Sequence, residues 1–253
     1  MKKFRIALLF LFYVAGSASL MAVSAQMVHL ASGDLALSID KYGFSKSIRI
    51  AGQEVLLEKE LYPVVMLAEC GDLIQPQQCR LSGDTLVCLM ANDREVRLLV
   101  RQSAACLTME VVNNLWDCDA LFFGPVAVNL HDVVGDVVGV VQGGDVAMGV
   151  MALNIKTTSG LQQEYAPQVE RRLGYSGNAA ATSTSSIPSY SLAATEIDGG
   201  AVFQMSCRRR ASRSFGMMGE SRRVNDCPAA LVSPVEWTEG NVCGAKVAMF
   251  GCR

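Results

Sequence analysis

Residues 135–160 read GDVVGVVQGGDVAMGVMALNIKTTSG, and their conformation separates a nucleotide-handling enzyme from an all-β module. A phosphate-cradling loop needs G-x-x-x-x-G-K-[ST]. Gly139 and Gly144 have that spacing, but Asp145 stands where the lysine must be, and a carboxylate repels phosphate. The dinucleotide pattern also fails, because no G-x-G occurs here. A hairpin fits better. DVVGVVQ (136–142) and DVAMGVMAL (145–153) are β-rich runs, and Gly143-Gly144 between them can take positive φ at both turn positions. Both runs are apolar on both faces, which predicts two central strands.

The same grammar extends outward. After residue 34, Leu35, Leu37 and Ile39 alternate with Ala36, Ser38 and Asp40; after Tyr42-Gly43, Ile48 and Ile50 alternate with Ser47, Arg49 and Ala51. Period-two alternation broken by glycine turns marks antiparallel strands. YPVVMLAE, DTLVCLMA, EVRLLVRQS and CLTMEVVNN continue it, with CGDLIQPQQ read as a turn. In the run after Cys106, Leu107, Met109 and Val111 share one face, and Thr108, Glu110 and Val112 the other. Helical periodicity is weak. The best stretch, QQEYAPQVERRL, is broken by Pro167. The small, polar segment near 174–199 reads as a long low-complexity loop, after which AVFQMSC resumes as strand. About a dozen strands in a chain of this length predict an all-β fold: a large antiparallel β-sandwich, supersandwich-like, with little helix.

The first 25 residues have a basic start (Lys2, Lys3, Arg5), an apolar run over 6–16 and an A-x-A-like site at Val23-Ser24-Ala25. This is a secretory signal peptide, and the apolar run is too short to span a bilayer. It predicts a secreted, periplasmic or cell-surface protein with no membrane span after cleavage, its sandwich covering residues 26–253. The remaining chain carries 19 basic and 24 acidic residues, a balance with no electrostatic reason to seek nucleic acid. All nine cysteines lie in it, so at least one stays outside any intrachain disulfide. Their pairing is open. Cys70, Cys79 and Cys88 recur every nine residues, but with no C-x-x-C and no flanking histidine neither a metal nor a cofactor is expected. The closing CGAKVAMFGCR reads as a final strand without a tail, as in the N-terminal part of a longer protein.

FFGPVAVN (122–129), the 135–160 stretch and the closing VAMFGC are similar to a pattern in large secreted proteins of Bacteroidota, in which an aromatic-Gly-Pro segment precedes a strand pair ending in an A-L-N-x-K-T-x-x-G turn. The opening LALSIDKYGFSKSIRIAGQEVL resembles the first hairpin of galactose-mutarotase-like sandwiches that flank glycoside hydrolases. The resemblance implies a carbohydrate-related sandwich whose catalytic domain lies in a later part of the protein. Residues 174–199 and the extra cysteines depart from it.

Few residues suggest chemistry. Of the two histidines, His131 neighbours Asp132 and Asp136 and would supply an acid–base pair for a mutarotase-like site; a polar loop pair is the plain alternative. Glu236 and Glu239 flank Trp237, the carboxylate-and-aromatic combination that suits sugar hydrolysis or sugar stacking, and Trp116 has Asp117 beside it. The cluster Arg208, Arg209, Arg210, Arg213, Arg222 and Arg223 is either a polyanion site or a solvated strand end. The resulting expectation is a secreted, carbohydrate-associated accessory or binding domain without its own catalytic site, using Trp116 and Trp237. The alternatives are a sugar-processing enzyme using His131 and carboxylates, and a purely structural inter-domain module.

Overall fold

The computed structural model describes residues 27–58, 62–70, 72–115, 118–135, 138–154, 156–159, 193–197, 199–208, 211–214, 223–224, 227–228, 234–237 and 241–253, with the backbone alone at 158–159, 204 and 208–237. Among them there is no helix, and 22 strands replace the expected dozen. The chain opens with β1 (Val28–Ser32), β2 (Leu35–Ile39), β3 (Ser45–Ile50) and β4 (Gln53–Glu54). A hairpin of β5 (Val65–Glu69) and β6 (Asp72–Ile74) leads to a meander of β7 (Pro76–Ser82), β8 (Thr85–Met90), β9 (Glu95–Gln102) and β10 (Leu107–Val111). Then come β11 (Ala120–Val128), β12 (Val133–Gly135), β13 (Val140–Gly143), β14 (Val146–Ala152) and β15 (Thr158–Ser159). The last strands are β16 (Ala194–Ile197), β17 (Gly200–Arg208), β18 (Ala211–Ser214), β19 (Arg223–Val224), β20 (Cys227–Pro228), β21 (Pro234–Trp237) and β22 (Lys246–Cys252).

These strands form an all-β antiparallel sandwich. A four-stranded sheet has the order β1-β2-β3-β4, and an eight-stranded sheet β12-β13-β14-β22-β10-β9-β8-β7. A six-stranded sheet runs β15-β17-β11-β5-β6, with β16 also on β17, and two small ribbons pair β18 with β21 and β19 with β20. One apolar cluster joins the three large sheets: Leu37 and Ile48 from the first, Leu98, Met109 and Met249 from the second, Leu67, Phe123 and Phe203 from the third. The alternation expected after Cys106 is present, with Leu107, Met109 and Val111 buried.

Strand β11 is buried on both faces along its whole length, all nine of its residues being buried. Leu121 and Phe123 enter the main cluster, while Ala120 and Phe122 enter a second one on the other side of the sheet with Tyr62 and Met66. A bulge at Gly124-Pro125, whose peptide is cis, shifts the register between Phe123 and Val126. The inward set therefore changes from odd to even numbers, and Val126 and Val128 also reach the main cluster. Pro125 has no N–H to pair, and a bulge is where a sheet tolerates that.

The decisive stretch is a meander with a shifted register. DVVGVVQ is not one strand: β12 ends at Gly135, and β13 starts at Val140 after a turn at Gly139, whose φ is +69°. The hairpin turn is Gly144-Asp145 rather than Gly143-Gly144, since Gly143 pairs with Val146. Glycine at 143 leaves room for Leu130, whose Cδ2 would lie 2.9 Å from a Cβ there. Both strands are interior, as expected: β13 lies between β12 and β14, and β14 between β13 and β22. The supposed turn CGDLIQPQQ contains β6 and the start of β7. Sequence 174–199 is described only at 193–197 and 199, where β16 forms; the helix candidate and residues 1–26 lie outside the described residues.

Three hairpin turns share one dipeptide. Gly33-Asp34, Gly83-Asp84 and Gly144-Asp145 each join strands paired directly outside them, Ser32 with Leu35, Ser82 with Thr85 and Gly143 with Val146. Each has positive φ at the glycine alone (+56°, +63° and +61°), the signature of a II′ turn. The second also sets the cysteine chemistry. Its register puts Cys79 opposite Cys88, and the two form a disulfide buried in the core. Their nine-residue spacing is thus a hairpin distance. Cys70, Cys106, Cys243 and Cys252 are free thiols.

Substitutions at these turns separate backbone strain from steric overlap. Gly83→Ala and Gly144→Ala meet open space and should each lower stability by about 1–2 kcal/mol through positive φ alone. Gly33→Ala has the same strain but points its Cβ at the Ala104 carbonyl oxygen, 2.6 Å away, and should lose about 1 kcal/mol or more beyond the others. Chemical denaturation of the three variants checks the order.

Candidate functional site

Of the residues expected to carry chemistry, His131 and its neighbour Asp132 are described with their side chains, and they do not pair. His131 is exposed on the loop between β11 and β12, its Nδ1 3.1 Å from the Asn129 carbonyl oxygen. Asp132 turns the other way. Its Oδ2 accepts the Gly144 N–H at 2.7 Å and its N–H donates to the Gln142 carbonyl, so it holds the β13–β14 turn. Among the described residues no carboxylate hydrogen-bonds His131; the pair is a polar loop, as its plain reading has it. Asp136, Trp116 and Glu239 lie outside the described residues. Glu236 and Trp237 are placed by backbone alone, on β21 opposite Ser212 and Ala211 of β18. Of the arginines, Arg208, Arg213 and Arg223 lie on strands whose side chains are not described, and Arg209, Arg210 and Arg222 fall outside.

An aromatic surface does form, on the outward face of the eight-stranded sheet. On β22, Val247 and Met249 join the core, so Ala248 and Phe250 point away from it. Phe250 is half-buried and directly opposite Gly149 of β14. A Cβ built on Gly149 would lie 2.5 Å from Cε2 and 2.7 Å from Cε1 of that ring, and closer still to Cζ. Three near-equal short distances put that Cβ over the ring face rather than beyond its edge. The ring therefore lies flat across the glycine with its other face outward. The register surrounds it with Val140 opposite Gly149, Gln142 opposite Ala147, and Met151 and Thr108 on either side of Ala248. Sequence inspection passed over Phe250. The signal available was a glycine within one apolar strand that pairs with an aromatic in another, a pairing only the register reveals.

A polar clamp closes one end of this sheet and gives ALNIKT its role. Asn154 Oδ1 accepts from Thr157 N and Oγ1 at 3.2 and 3.1 Å, and its Nδ2 donates to the Gly244 carbonyl. Thr157, fully buried, accepts the Lys246 N–H at 2.8 Å, and Lys156 Nζ donates to the Cys243 carbonyl at 2.9 Å. The bonds to Gly244, Lys246 and Cys243 tie the segment after β14 to the approach to β22, and the Asn154–Thr157 bonds brace that segment. Lys246 Nζ in turn meets Glu110 of β10 at 3.1 Å.

Glu54 is another structural carboxylate. Burial raises its pKa, but hydrogen bonds from the Ser47 hydroxyl, the Ile48 N–H, Arg49 and the Leu56 N–H outweigh that and hold it below the ordinary glutamate value. A depressed carboxyl stabilises the fold above the unfolded-state pKa, and the contribution is lost as pH falls through the folded value. Glu54→Gln should therefore lower the melting temperature at pH 7, and the gap to the parent should narrow as pH drops below about 4.5. Thermal melts across pH 3–7 test this; a gap that is constant with pH would assign the loss to packing.

Among the described residues no group of three or more His, Cys, Asp or Glu could hold a metal ion, and no helix is long and apolar enough to cross a membrane. No protein-family model matches the chain, and no curated protein matches it.

Proposed function

We propose that the chain is an exported, carbohydrate-associated binding β-sandwich without its own catalytic site. The observation that carries the reading is the Phe250 ring, flat on Gly149 with one face outward and the polar side chains of Gln142 and Thr108 on the same sheet face. A sugar ring offers C–H groups to an aromatic face and hydroxyls to polar neighbours, and a rigid sheet holds both kinds of group in register. Export is supported by the N-terminal basic-apolar-small segment and by the Cys79–Cys88 disulfide, which persists in oxidising compartments. The resemblance to galactose-mutarotase-like sandwiches supports the ligand class. A structural reading uses the same surface: Met151 and Leu153 are exposed beside the ring and would pack against a neighbouring domain.

Affinity electrophoresis against a panel of polysaccharides separates the two. Phe250→Ala should weaken retardation by about tenfold, on the order of 1.4 kcal/mol, while Phe250→Trp keeps it. A parent protein that no polysaccharide retards, or a Phe250→Ala variant that binds unchanged, would sink the sugar reading.

A further inference from the structure

Strand β6 ends the six-stranded sheet, and the direction of its hydrogen bonds follows from its neighbours. On β5, the Val64 and Ala68 carbonyls accept from Gly124 and Asp119 on the β11 side, and the Cys70 N–H donates to Asp119 at 2.8 Å. Even-numbered residues of that segment thus face β11, and Leu67 and Glu69 face β6, where they pair with Ile74 and Asp72. Leu73, opposite Ala68, therefore points its N–H and C=O away from the sheet. Gln75, two residues on, does the same, and its carbonyl accepts the Ala91 N–H at 2.9 Å. The Leu73 side chain packs on the second apolar cluster, but among the described residues nothing hydrogen-bonds its outward N–H and C=O.

That open rung faces an open depression of about 310 Å3 lined by Leu73, Ile74, Gln75, Ala91 and Asn92. Its far wall is rigid. The Asn92 amide donates to Glu69 Oε2 at 2.7 Å, the Arg94 guanidinium donates to Glu69 Oε1 at 2.8 Å, and the Arg94 N–H donates to Asn92 Oδ1 at 3.3 Å. The Gln75 side chain makes no hydrogen bond among the described residues. Asp72 and Asp93, both exposed, flank the depression without an ion pair among those residues.

We propose that this edge binds a short extended peptide carrying a basic residue, which adds to β6 as an antiparallel strand. The N–H and C=O of one extended residue lie on the same side of the chain, the arrangement that complements Leu73. A single trans amide, such as the acetamido group of a sugar, points its N–H and C=O in opposite directions and can satisfy only one of the two. The depression has room for side chains of two or three residues, and Asp72 and Asp93 favour a cation beside them. The site lies at a different edge from Phe250 and does not rest on the sugar reading.

The test is a 15N–1H NMR titration of the full chain with end-capped Ala-Lys-Ala. The amide signals of Leu73, Gln75 and Asn92 should shift. Methylating the backbone nitrogen of the peptide's lysine, which removes the donor to the Leu73 carbonyl, should weaken binding about tenfold. Ala-Glu-Ala should bind about threefold more weakly. Leu73→Pro, which deletes the N–H at an edge position that tolerates proline, should abolish the response, and Phe250→Ala should leave it intact. Equal binding of the methylated peptide, the same shifts with N-acetylglucosamine, or self-association that shifts these signals without ligand would overturn the proposal. If Leu73→Pro does not fold, the methylated peptide on the parent protein still decides.

Discussion

Strand β22 makes one sheet of two meanders. Its residues pair six times with β14 and four times with β10, so β7 to β10 on one side and β12 to β14 on the other are continuous only through it. Without it both flanking strands would present open edges, a state prone to pairing with other chains. It also ties the sheets together. Gly251 approaches the four-stranded sheet so closely that a side chain there would lie 2.9 Å from Ile50 Cγ1. The pairing of Leu107 with Met249 closes a very long loop, and such a non-local contact forms late in folding.

The clamp from Asn154, Lys156 and Thr157 answers that demand. A strand arriving late needs a fixed entry, and the carbonyls of Cys243 and Gly244 and the N–H of Lys246 are each met by a side chain from the segment after β14. Here the short ALNIKT motif has a mechanical meaning. Asn154 supplies acceptor and donor at once, Thr157 is small enough to bury, and Lys156 reaches the loop. The same arrangement places Phe250 against Gly149, so the surface proposed for sugar depends on the register the clamp secures.

The two binding surfaces proposed for this fold lie on a sheet face and a sheet edge. The Phe250 face offers a ring and polar neighbours at fixed spacing, and the β6 edge offers an unpaired N–H and C=O. Both are made by backbone pairing, and neither involves the histidine or the paired acids that drew attention in the sequence. His131 faces solvent and Asp132 is committed to a turn.

The amino-acid sequence by itself determined the class of structure. Alternation such as Leu35, Leu37, Ile39 sorts buried from exposed with period two, and that period can bury an apolar face only as strand. Asp145 in the lysine position excluded a phosphate loop from the local chemistry of one residue. The Gly-Asp dipeptide at 33, 83 and 144 also marks three turns, because glycine alone takes positive φ without strain. What only the tertiary structure decided was register and neighbourhood. The choice between Gly143-Gly144 and Gly144-Asp145 turned on the pairing of Gly143 with Val146, and the cysteine pairing turned on where one hairpin bends. That Phe250 faces Gly149, and that the outward N–H and C=O of Leu73 meet no partner among the described residues, are facts about strands brought together from distant parts of the chain, and local sequence carries no information about its partner.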